Sequence, residues 1–190
     1  MNLGKNASAD NLPCSFVIFG ATGNLASNKL LPALYHLEAA ARLAESLTII
    51  AFSRRDWTTE NWREHMRETL KGKIKGPLDT PVFERFIARF SYHKGDLNDV
   101  ASYRALAERM PPESACSSAV FYLAIKPAEF GAVIQNLEAA GLNKPRGLNR
   151  VVIEKPFGED LESAQMLNRL LHQHFDEEQV YRIDHFLGKE

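Results

Sequence analysis

The sequence is poor in cysteine and carries almost no net charge, and both shortages exclude classes of protein. Its two cysteines, Cys14 and Cys116, lie far apart and lack the spacing of metal ligands. We therefore expect free thiols in a reducing compartment, with no disulfide and no metal site. Basic residues number 23 and acidic residues 24, a net charge of −1. This balance favours neither nucleic acid nor an anionic membrane surface as a partner.

Long hydrophobic runs are also missing. No apolar stretch approaches the roughly 20 residues that span a membrane, and the opening MNLGKNASADNLP lacks the apolar segment of a signal peptide. We expect residues 1–13 to form a mobile polar arm and residues 14–190 to form one domain, located in the cytoplasm. The 190 residues, 45% of them hydrophobic, suffice for a buried core.

Short apolar runs alternate with stretches of helical spacing along the rest of the chain. The predicted strands are Phe16–Phe19, Leu47–Phe52, Phe90–His93, Ala119–Ala124, Val151–Ile153 and Val180–Ile183. The predicted helices follow Gly23 and cover Trp57–Lys71 (N-cap Asp56), Val82–Ala88, Asn98–Arg109, Pro127 to about Ala140 (C-cap Gly141) and Leu161–Phe175. This order predicts an α/β, Rossmann-like, doubly wound fold, with a mainly parallel six-stranded sheet and helices on both faces.

The turn after the first strand carries two glycines, in the sequence FVIFGATGNLASNKLLP. Gly20 and Gly23 lack Cβ, so the backbone can approach an anion closely at the start of the following helix. Thr22 and Asn24 can donate hydrogen bonds or cap that helix. The spacing is G-x-x-G and lacks the full G-x-G-x-x-G pattern. A nucleotide site and a purely steric turn therefore both remain open.

A carboxylate is missing after the second strand, where NAD-binding proteins usually place one on the ribose. Arg54 and Arg55 stand there, and guanidinium groups suit a 2′-phosphate, so the position predicts NADP. The alternative is a pair of solvated surface arginines. Asp96 and Leu97 follow the third strand, beside the expected adenine position. The alternative for these two is a helix N-cap followed by a core leucine.

Two further segments concentrate chemistry at strand ends. Lys155 follows the fifth strand directly and is expected to reach across the ligand crevice, with Pro156 a candidate for a cis peptide bond. The alternative is a surface lysine before a turn. His185 and Lys189 are four residues apart, so a helix would place both on one face, where they suit an anionic ligand. The alternative for His185 is packing near a helix start.

Together these segments resemble the glucose-6-phosphate dehydrogenase family. The resemblance covers the chain from about Cys14 to Glu190 and rests on four motifs in order: GATGNLASNKLLP, SRR, VVIEKPFG and YRIDHFLGKE. The last is close to the family signature RIDHYLGKE and is highly specific. EKP also occurs in sugar dehydrogenases of the inositol dehydrogenase and glucose–fructose oxidoreductase group. The resemblance implies hydride transfer from C1 of glucose 6-phosphate to NADP⁺.

The resemblance also implies roles for individual residues. The segment that holds the pyrophosphate comprises Gly20, Ala21, Thr22, Gly23, Asn24 and Leu25, and Arg54 holds the 2′-phosphate. Lys155 bridges cofactor and substrate, while His185 and Lys189 bind the sugar phosphate. Asp184 matches the carboxylate that orients the family's catalytic histidine. Three positions depart from the family pattern: Asn24 replaces Asp, Lys126 replaces the first Pro of an Ala-x-Pro-Pro turn, and Phe186 replaces Tyr.

The resemblance implies that the catalytic histidine and the β+α substrate and dimerisation domain lie beyond residue 190. We expect residues 1–190 to be a monomer that binds NADP but lacks useful activity, and the full-length enzyme to be a homodimer or homotetramer. Two alternatives stay open. One is an NADP-linked sugar dehydrogenase of the inositol dehydrogenase group, and the other is a non-catalytic NADP-sensing module.

Overall fold

The sheet of this protein is wholly parallel among the residues that the structure, a computed structural model, describes (13–74, 76–110, 118–144, 149–158 and 160–183). Its strands are β1 (Cys14–Phe19), β2 (Leu47–Ser53), β3 (Phe90–Lys94), β4 (Ser118–Leu123), β5 (Arg150–Glu154) and β6 (Val180–Ile183). The strand order is β3-β2-β1-β4-β5-β6. This is the order of the dinucleotide-binding fold, which reverses direction between β1 and β4. The predicted fold class is confirmed.

Helices connect the strands. They are α1 (Leu31–Ala39), α2 (Thr59–Lys71), α3 (Thr80–Ala88), α4 (Val100–Arg109), α5 (Phe130–Ala139) and α6 (Leu161–His174). A π-helical segment, Ala26–Leu30, leads into α1, and short 3₁₀ turns, Pro127–Glu129 and Glu177–Gln179, precede α5 and β6.

Alternate residues of each strand pack on opposite faces of the sheet, as the period of two requires. Val17 and Phe19 belong to a core cluster covered by α4, α5 and α6, whereas Ile18 between them belongs to a second cluster covered by α1, α2 and α3. Because both faces are covered, the strands are continuous apolar runs, which explains why the sequence marked them clearly.

Three predicted helix starts were wrong. The N-cap of α2 is Thr58, whose hydroxyl accepts from the Asn61 N–H at 3.2 Å, and not Asp56. Helix α3 begins at Thr80, capped by Asp79, because a proline in the first turn is compatible with a helix. Helix α4 begins at Val100, capped by Asp99, rather than at Asn98.

Three other predictions concern Gly141, Pro156 and the cysteines. Gly141 follows the C-cap residue Ala140 with φ +70°, the left-handed conformation expected of a glycine at a helix end. Lys155–Pro156 is a cis peptide bond. Cys14 is a free, half-buried thiol. Cys116 and the arm at residues 1–12 lie outside the described residues.

Candidate functional site: the crevice at the carboxyl ends of the strands

The turn after β1 is held from below by the end of β2. The N–H groups of Gly20 and Ala21 both donate to the Phe52 carbonyl, at 3.1 and 3.2 Å, and the Gly23 N–H donates to the Gly20 carbonyl at 2.8 Å. Gly20 has φ +77°, and a Cβ there would lie 2.5 Å from the carbonyl oxygen of Ala124. Only glycine therefore permits this close approach of the turn to the end of β4.

A helix starts immediately above this turn. Asn24 and Leu25 are already helical, so the N-terminus of the helix that continues into α1 faces the end of the sheet. N–H groups in the first turn of a helix have no carbonyl partner within the helix, and the helix dipole favours negative charge there. The Thr22 hydroxyl lies 2.8 Å from that of Ser53, which links the turn to the end of β2. The arrangement is a ready anion-binding site.

A crevice of about 730 Å³ opens over these groups. It lies outside the carboxyl ends of β1, β2, β4 and β5, at the reversal of strand order where ligands bind in this fold. It is lined by Gly20, Thr22, Gly23, Asn24, Leu25, Phe52, Ser53, Arg54, Arg55, Gly95, Leu97, Ala124, Ile125, Lys126, Pro127, Glu129, Lys155 and Pro156. Apolar residues such as Phe52, Leu97 and Ile125 lie beside polar and charged groups in this lining, a combination that is typical of a cofactor site.

The charge of the crevice is mostly positive. Among the described lining residues, four carry positive charge (Arg54, Arg55, Lys126 and Lys155) and Glu129 is the one carboxylate. That carboxylate accepts a hydrogen bond from the Lys126 N–H at 3.1 Å, so it is engaged in its own 3₁₀ turn. The site suits a ligand with several negative charges.

Most of the predicted cofactor residues come together in this crevice. Gly20, Thr22, Gly23, Asn24, Leu25, Arg54, Leu97 and Lys155 line it. Ala21 does not: its side chain is buried in the core under α1, and its N–H bonds to β2. Asp184, His185 and Lys189, predicted for catalysis and for the sugar phosphate, lie outside the described residues.

Asp96 lines an adjoining cavity of about 330 Å³ with Arg54, Lys94, Gly95 and Ser102. The interpretation of Asp96 as a helix N-cap was wrong, because its carboxylate accepts from the Asn98 N–H at 2.9 Å and Asp99 caps α4. Leu97 is buried, as a core leucine would be, yet also lines the crevice. Its carbonyl accepts from the Tyr103 hydroxyl and the Asn136 amide, both at 2.9 Å.

Ser53 and Ile125 had no predicted role in the crevice, whereas Arg55 was predicted with Arg54 as a group suited to a 2′-phosphate. Arg55 lines the crevice beside Arg54, Ser53 pairs with Thr22, and Ile125 touches the position where a Gly20 Cβ would stand. Ser53 is the last residue of β2, and Arg55 and Ile125 come two residues after the ends of β2 and β4. Position at the carboxyl end of a strand was the signal available in the sequence.

The described residues contain neither a helix fit to span a membrane nor a metal-binding cluster. No helix there is long and apolar enough to cross a membrane. No group of three or more His, Cys, Asp or Glu side chains in that part of the chain is arranged to hold a metal ion.

Comparison with known proteins adds the family. The family described as glucose-6-phosphate dehydrogenase, NAD binding domain, matches residues 17–190. Glucose-6-phosphate 1-dehydrogenase from Chlamydia pneumoniae is 37% identical over 98% of this chain and 38% of its own length. A crystal structure of glucose-6-phosphate 1-dehydrogenase from Mycobacterium avium superimposes with a TM-score of 0.85, at 38% identity over 93% of this chain and 37% of that one.

A second solved structure, glucose-6-phosphate dehydrogenase in complex with its substrate glucose-6-phosphate, gives a TM-score of 0.81 at 34% identity. It covers 94% of this chain and 38% of that one, so the chain spans about two-fifths of the length of these relatives. These matches favour the glucose-6-phosphate dehydrogenase family over the inositol dehydrogenase group. The chain belongs to the glucose-6-phosphate dehydrogenase family, and the part of that family it matches is the NAD-binding domain.

Proposed function

We propose that the crevice binds NADP⁺ and prefers it to NAD⁺. The observation that carries this proposal is the charge at the end of β2, where Arg54 and Arg55 line the crevice and no lining carboxylate follows the strand. A guanidinium pairs with a phosphate through charge-assisted, often bidentate hydrogen bonds, whereas a ribose 2′-hydroxyl needs an acceptor such as a carboxylate.

The described residues fit a dinucleotide. Gly20 and Gly23 form the turn before the helix N-terminus, where a pyrophosphate would bind, and a Cβ at Gly20 would collide with Ala124 and Ile125 and displace that turn. Thr22 and Ser53 bring two hydroxyls to the mouth of the crevice near the arginines. Bound NADP⁺ supplies the hydride acceptor, its nicotinamide ring.

We further propose the family's reaction for the whole protein: hydride leaves C1 of glucose 6-phosphate for the nicotinamide, the C1 hydroxyl proton passes to a base, and 6-phosphogluconolactone forms. Lys155 stands at the end of β5 in the crevice, where its ammonium can donate to substrate while neighbouring the cofactor. His185 and Lys189 as phosphate ligands, and Asp184 as the carboxylate behind the base, remain proposals of the same kind.

Calorimetric titration of NADP⁺ and NAD⁺ tests the cofactor. A charge-assisted bidentate contact contributes about 1.5–3 kcal/mol, so we expect NADP⁺ to bind roughly 10- to 150-fold more tightly. Arg54→Gln should lower the preference, and Arg104→Gln, on the exposed surface of α4, serves as the matched control. Equal affinity of the unaltered chain for both nucleotides would contradict the proposal.

We expect the 190-residue chain to bind nucleotide without turning over glucose 6-phosphate at a useful rate. Among the described residues that line the crevice there is no histidine, and Glu129 is engaged in its own turn. General-base catalysis contributes roughly 10²–10⁴-fold, so we expect the 190-residue chain to bind nucleotide with near-background turnover of glucose 6-phosphate. NADPH absorbance at millimolar substrate measures this. A rate within about a hundredfold of a full-length relative would mean that the base lies within these residues.

The assembly state and location are also proposals. We propose a monomer for residues 1–190, with homodimers or homotetramers forming in the full-length protein, and a cytoplasmic location. Light scattering at micromolar concentration checks the monomer. A nucleotide-sensing role without catalysis would be supported if a protein of the full family length bound NADP⁺ but did not oxidise glucose 6-phosphate.

A further inference from the structure

The Arg55 side chain rests against an indole ring at the edge of the crevice. Its guanidinium carbon lies 4.9 Å from the centre of the Trp57 ring, and Arg55 is one of the lining residues. A guanidinium over an aromatic face is attracted by the ring's electrons and loses rotational freedom. The contact therefore holds a long, exposed side chain in the crevice before any ligand arrives.

The indole ring is itself fixed. Trp57 is half-buried, with its ring centre 5.0 Å from His65 on α2 and 6.1 Å from Tyr92 on β3. The Tyr92 hydroxyl donates to the Arg55 carbonyl at 2.7 Å. Trp57 thus holds the side chain of Arg55, and Tyr92, which packs against Trp57, holds its backbone.

The nearby charges leave the two arginines open to an anion. Among the described residues, no carboxylate lies within ion-pair distance of Arg54 or Arg55, because the ion pairs there join other residues. The adjacent acid, Asp56, is drawn away by Lys94 at 2.9 Å. Burial lowers the pKa of His65, with the Arg55 charge acting in the same direction, so the folded chain favours the neutral form of this neighbour.

Arg54 and Arg55 differ in whether an aromatic ring holds the guanidinium in place. Arg54 is exposed and borders both the crevice and the adjoining cavity with Asp96, without an aromatic ring beneath it among the described contacts. Arg55 has the ring. A preorganised cation loses less entropy on binding, so it contributes more of its interaction energy to affinity.

We propose that Arg55 is a second ligand of the 2′-phosphate and that Trp57 is its positioning residue, so that the preference for NADP⁺ depends on an indole ring that does not itself need to touch the nucleotide. This inference rests on the proposed function. It assigns Arg54 and Arg55 to one phosphate, with Arg55 oriented by Trp57 and Tyr92.

The test is calorimetric titration of NADP⁺ and NAD⁺ against variants of the 190-residue chain. Arg55→Gln should weaken NADP⁺ binding roughly 10- to 150-fold and change NAD⁺ binding less than about twofold. Trp57→Leu should weaken NADP⁺ binding roughly two- to fivefold, the contribution of an exposed cation–π contact, and Trp57→Phe should lose less because it keeps a ring. The double variant should equal Arg55→Gln, since the ring acts through Arg55.

Two smaller probes, 2′,5′-ADP and ADP, repeat the comparison without the nicotinamide half. If the unaltered chain prefers NADP⁺ but Arg55→Gln keeps that preference, the inference is wrong and the proposed function stands. If the unaltered chain has no preference, the proposed function itself fails. If Trp57→Leu weakens NAD⁺ as much as NADP⁺, or adds to Arg55→Gln, the ring supports the fold rather than Arg55 and the positioning role is wrong.

Discussion

The two faces of the sheet are covered by helices of nearly equal length but unequal anchoring. Helix α2 buries Trp62, Met66 and Leu70 in the core, whereas α6, one residue longer, buries Leu171 among its described residues. On α6, Leu161 is 74% exposed and Met166 51% exposed. A cavity of about 460 Å³, lined in part by Ile153, Phe157 and Leu167, lies beneath it.

This difference shows where rigidity is concentrated. Burial of large side chains is the main favourable contribution to folding, so we expect α6 to open at a lower free energy than α2. Helix α2, whose N-cap Thr58 follows Trp57, carries His65, which packs against Trp57 on the Arg55 side of the crevice. The arginine side of the crevice therefore adjoins the more deeply anchored helix, as precise positioning requires, whereas Lys155 lies at the end of β5.

The largest expected effect is at Gly20, where the two faces meet. Gly20→Ala forces a side chain into φ +77° and brings its Cβ to 2.5 Å from the Ala124 carbonyl oxygen. We expect nucleotide binding to fall more than about a hundredfold and stability to fall by several kcal/mol, on the order of the cost of strain plus overpacking. Gly141→Ala is the matched control: it has φ +70° but nothing within 4 Å, so it should cost about 1 kcal/mol. Equal losses would mean that strain alone, and not crowding, matters.

The next largest effect tests directly whether α2 is anchored more strongly than α6. Trp62→Ala removes a fully buried indole from α2 and should cost about 3–5 kcal/mol in urea unfolding. Met166→Ala removes a smaller side chain that is 51% exposed on α6 and should stay within about 0.5 kcal/mol. If Met166→Ala costs as much as a core substitution, α6 is packed against something that the described residues do not include.

The sequence predicted the sheet well because the physics of the strands is local and strong. Runs such as Val17–Phe19 are buried on both sides, so they appear as uninterrupted apolar segments, and the glycines mark the turn that follows. The helix starts were weaker, since Asp56 and Thr58 are both good caps. In the folded chain Asp56 pairs with the distant Lys94, whereas Thr58 forms a local capping box with Asn61.

Part of the crevice lining was predicted, because the strands that position it were predicted. Strand order brings the ends of β1, β2, β4 and β5 together, so Gly20, Arg54 and Lys155 were found from position alone. Contacts between distant segments had no sequence signal. The Thr22–Ser53 hydroxyl pair and the Tyr92–Arg55 bond join residues more than 30 positions apart and became visible only in the folded chain.

Acid should weaken the fold through one histidine on each face. Burial lowers the pKa of His65, with Arg55 adding to the shift, and burial lowers that of His93, with Arg109 adding and the Ser102 carbonyl opposing. The His93 Nε2 donates to that carbonyl at 3.0 Å in either protonation state, whereas Nδ1 faces the Arg109 guanidinium at 3.5 Å and accepts from it only when the ring is neutral. The unfolded histidines take up protons near pH 6.5 while the native ones do not, so stability falls as pH drops below about 6.5 towards the lowered native pKa values.

The slope cannot exceed about 1.4 kcal/mol per pH unit for each histidine. Urea unfolding at several pH values between about 7.5 and 5 measures it. His93→Gln keeps a donor for the Ser102 carbonyl but does not titrate, so it should flatten the pH dependence. An unchanged slope in both His93→Gln and His65→Gln would assign the acid sensitivity to other groups.

The smallest expected effect concerns the cap of α2. The Thr58 hydroxyl accepts from the Asn61 N–H at 3.2 Å, and the Asn61 side chain accepts from the Thr58 N–H at 3.0 Å. Thr58→Ala removes the first bond and should cost about 1 kcal/mol in urea unfolding, whereas Thr59→Ala, one position along and exposed, should cost a few tenths. Because Thr58 follows Trp57 directly, fraying of this turn should also loosen the support of Arg55 and lower NADP⁺ affinity by less than about fivefold, with NAD⁺ affinity unchanged. A loss of affinity for both nucleotides, or an equal cost for Thr59→Ala, would mean that the α2 N-terminus supports the fold as a whole rather than this side of the crevice.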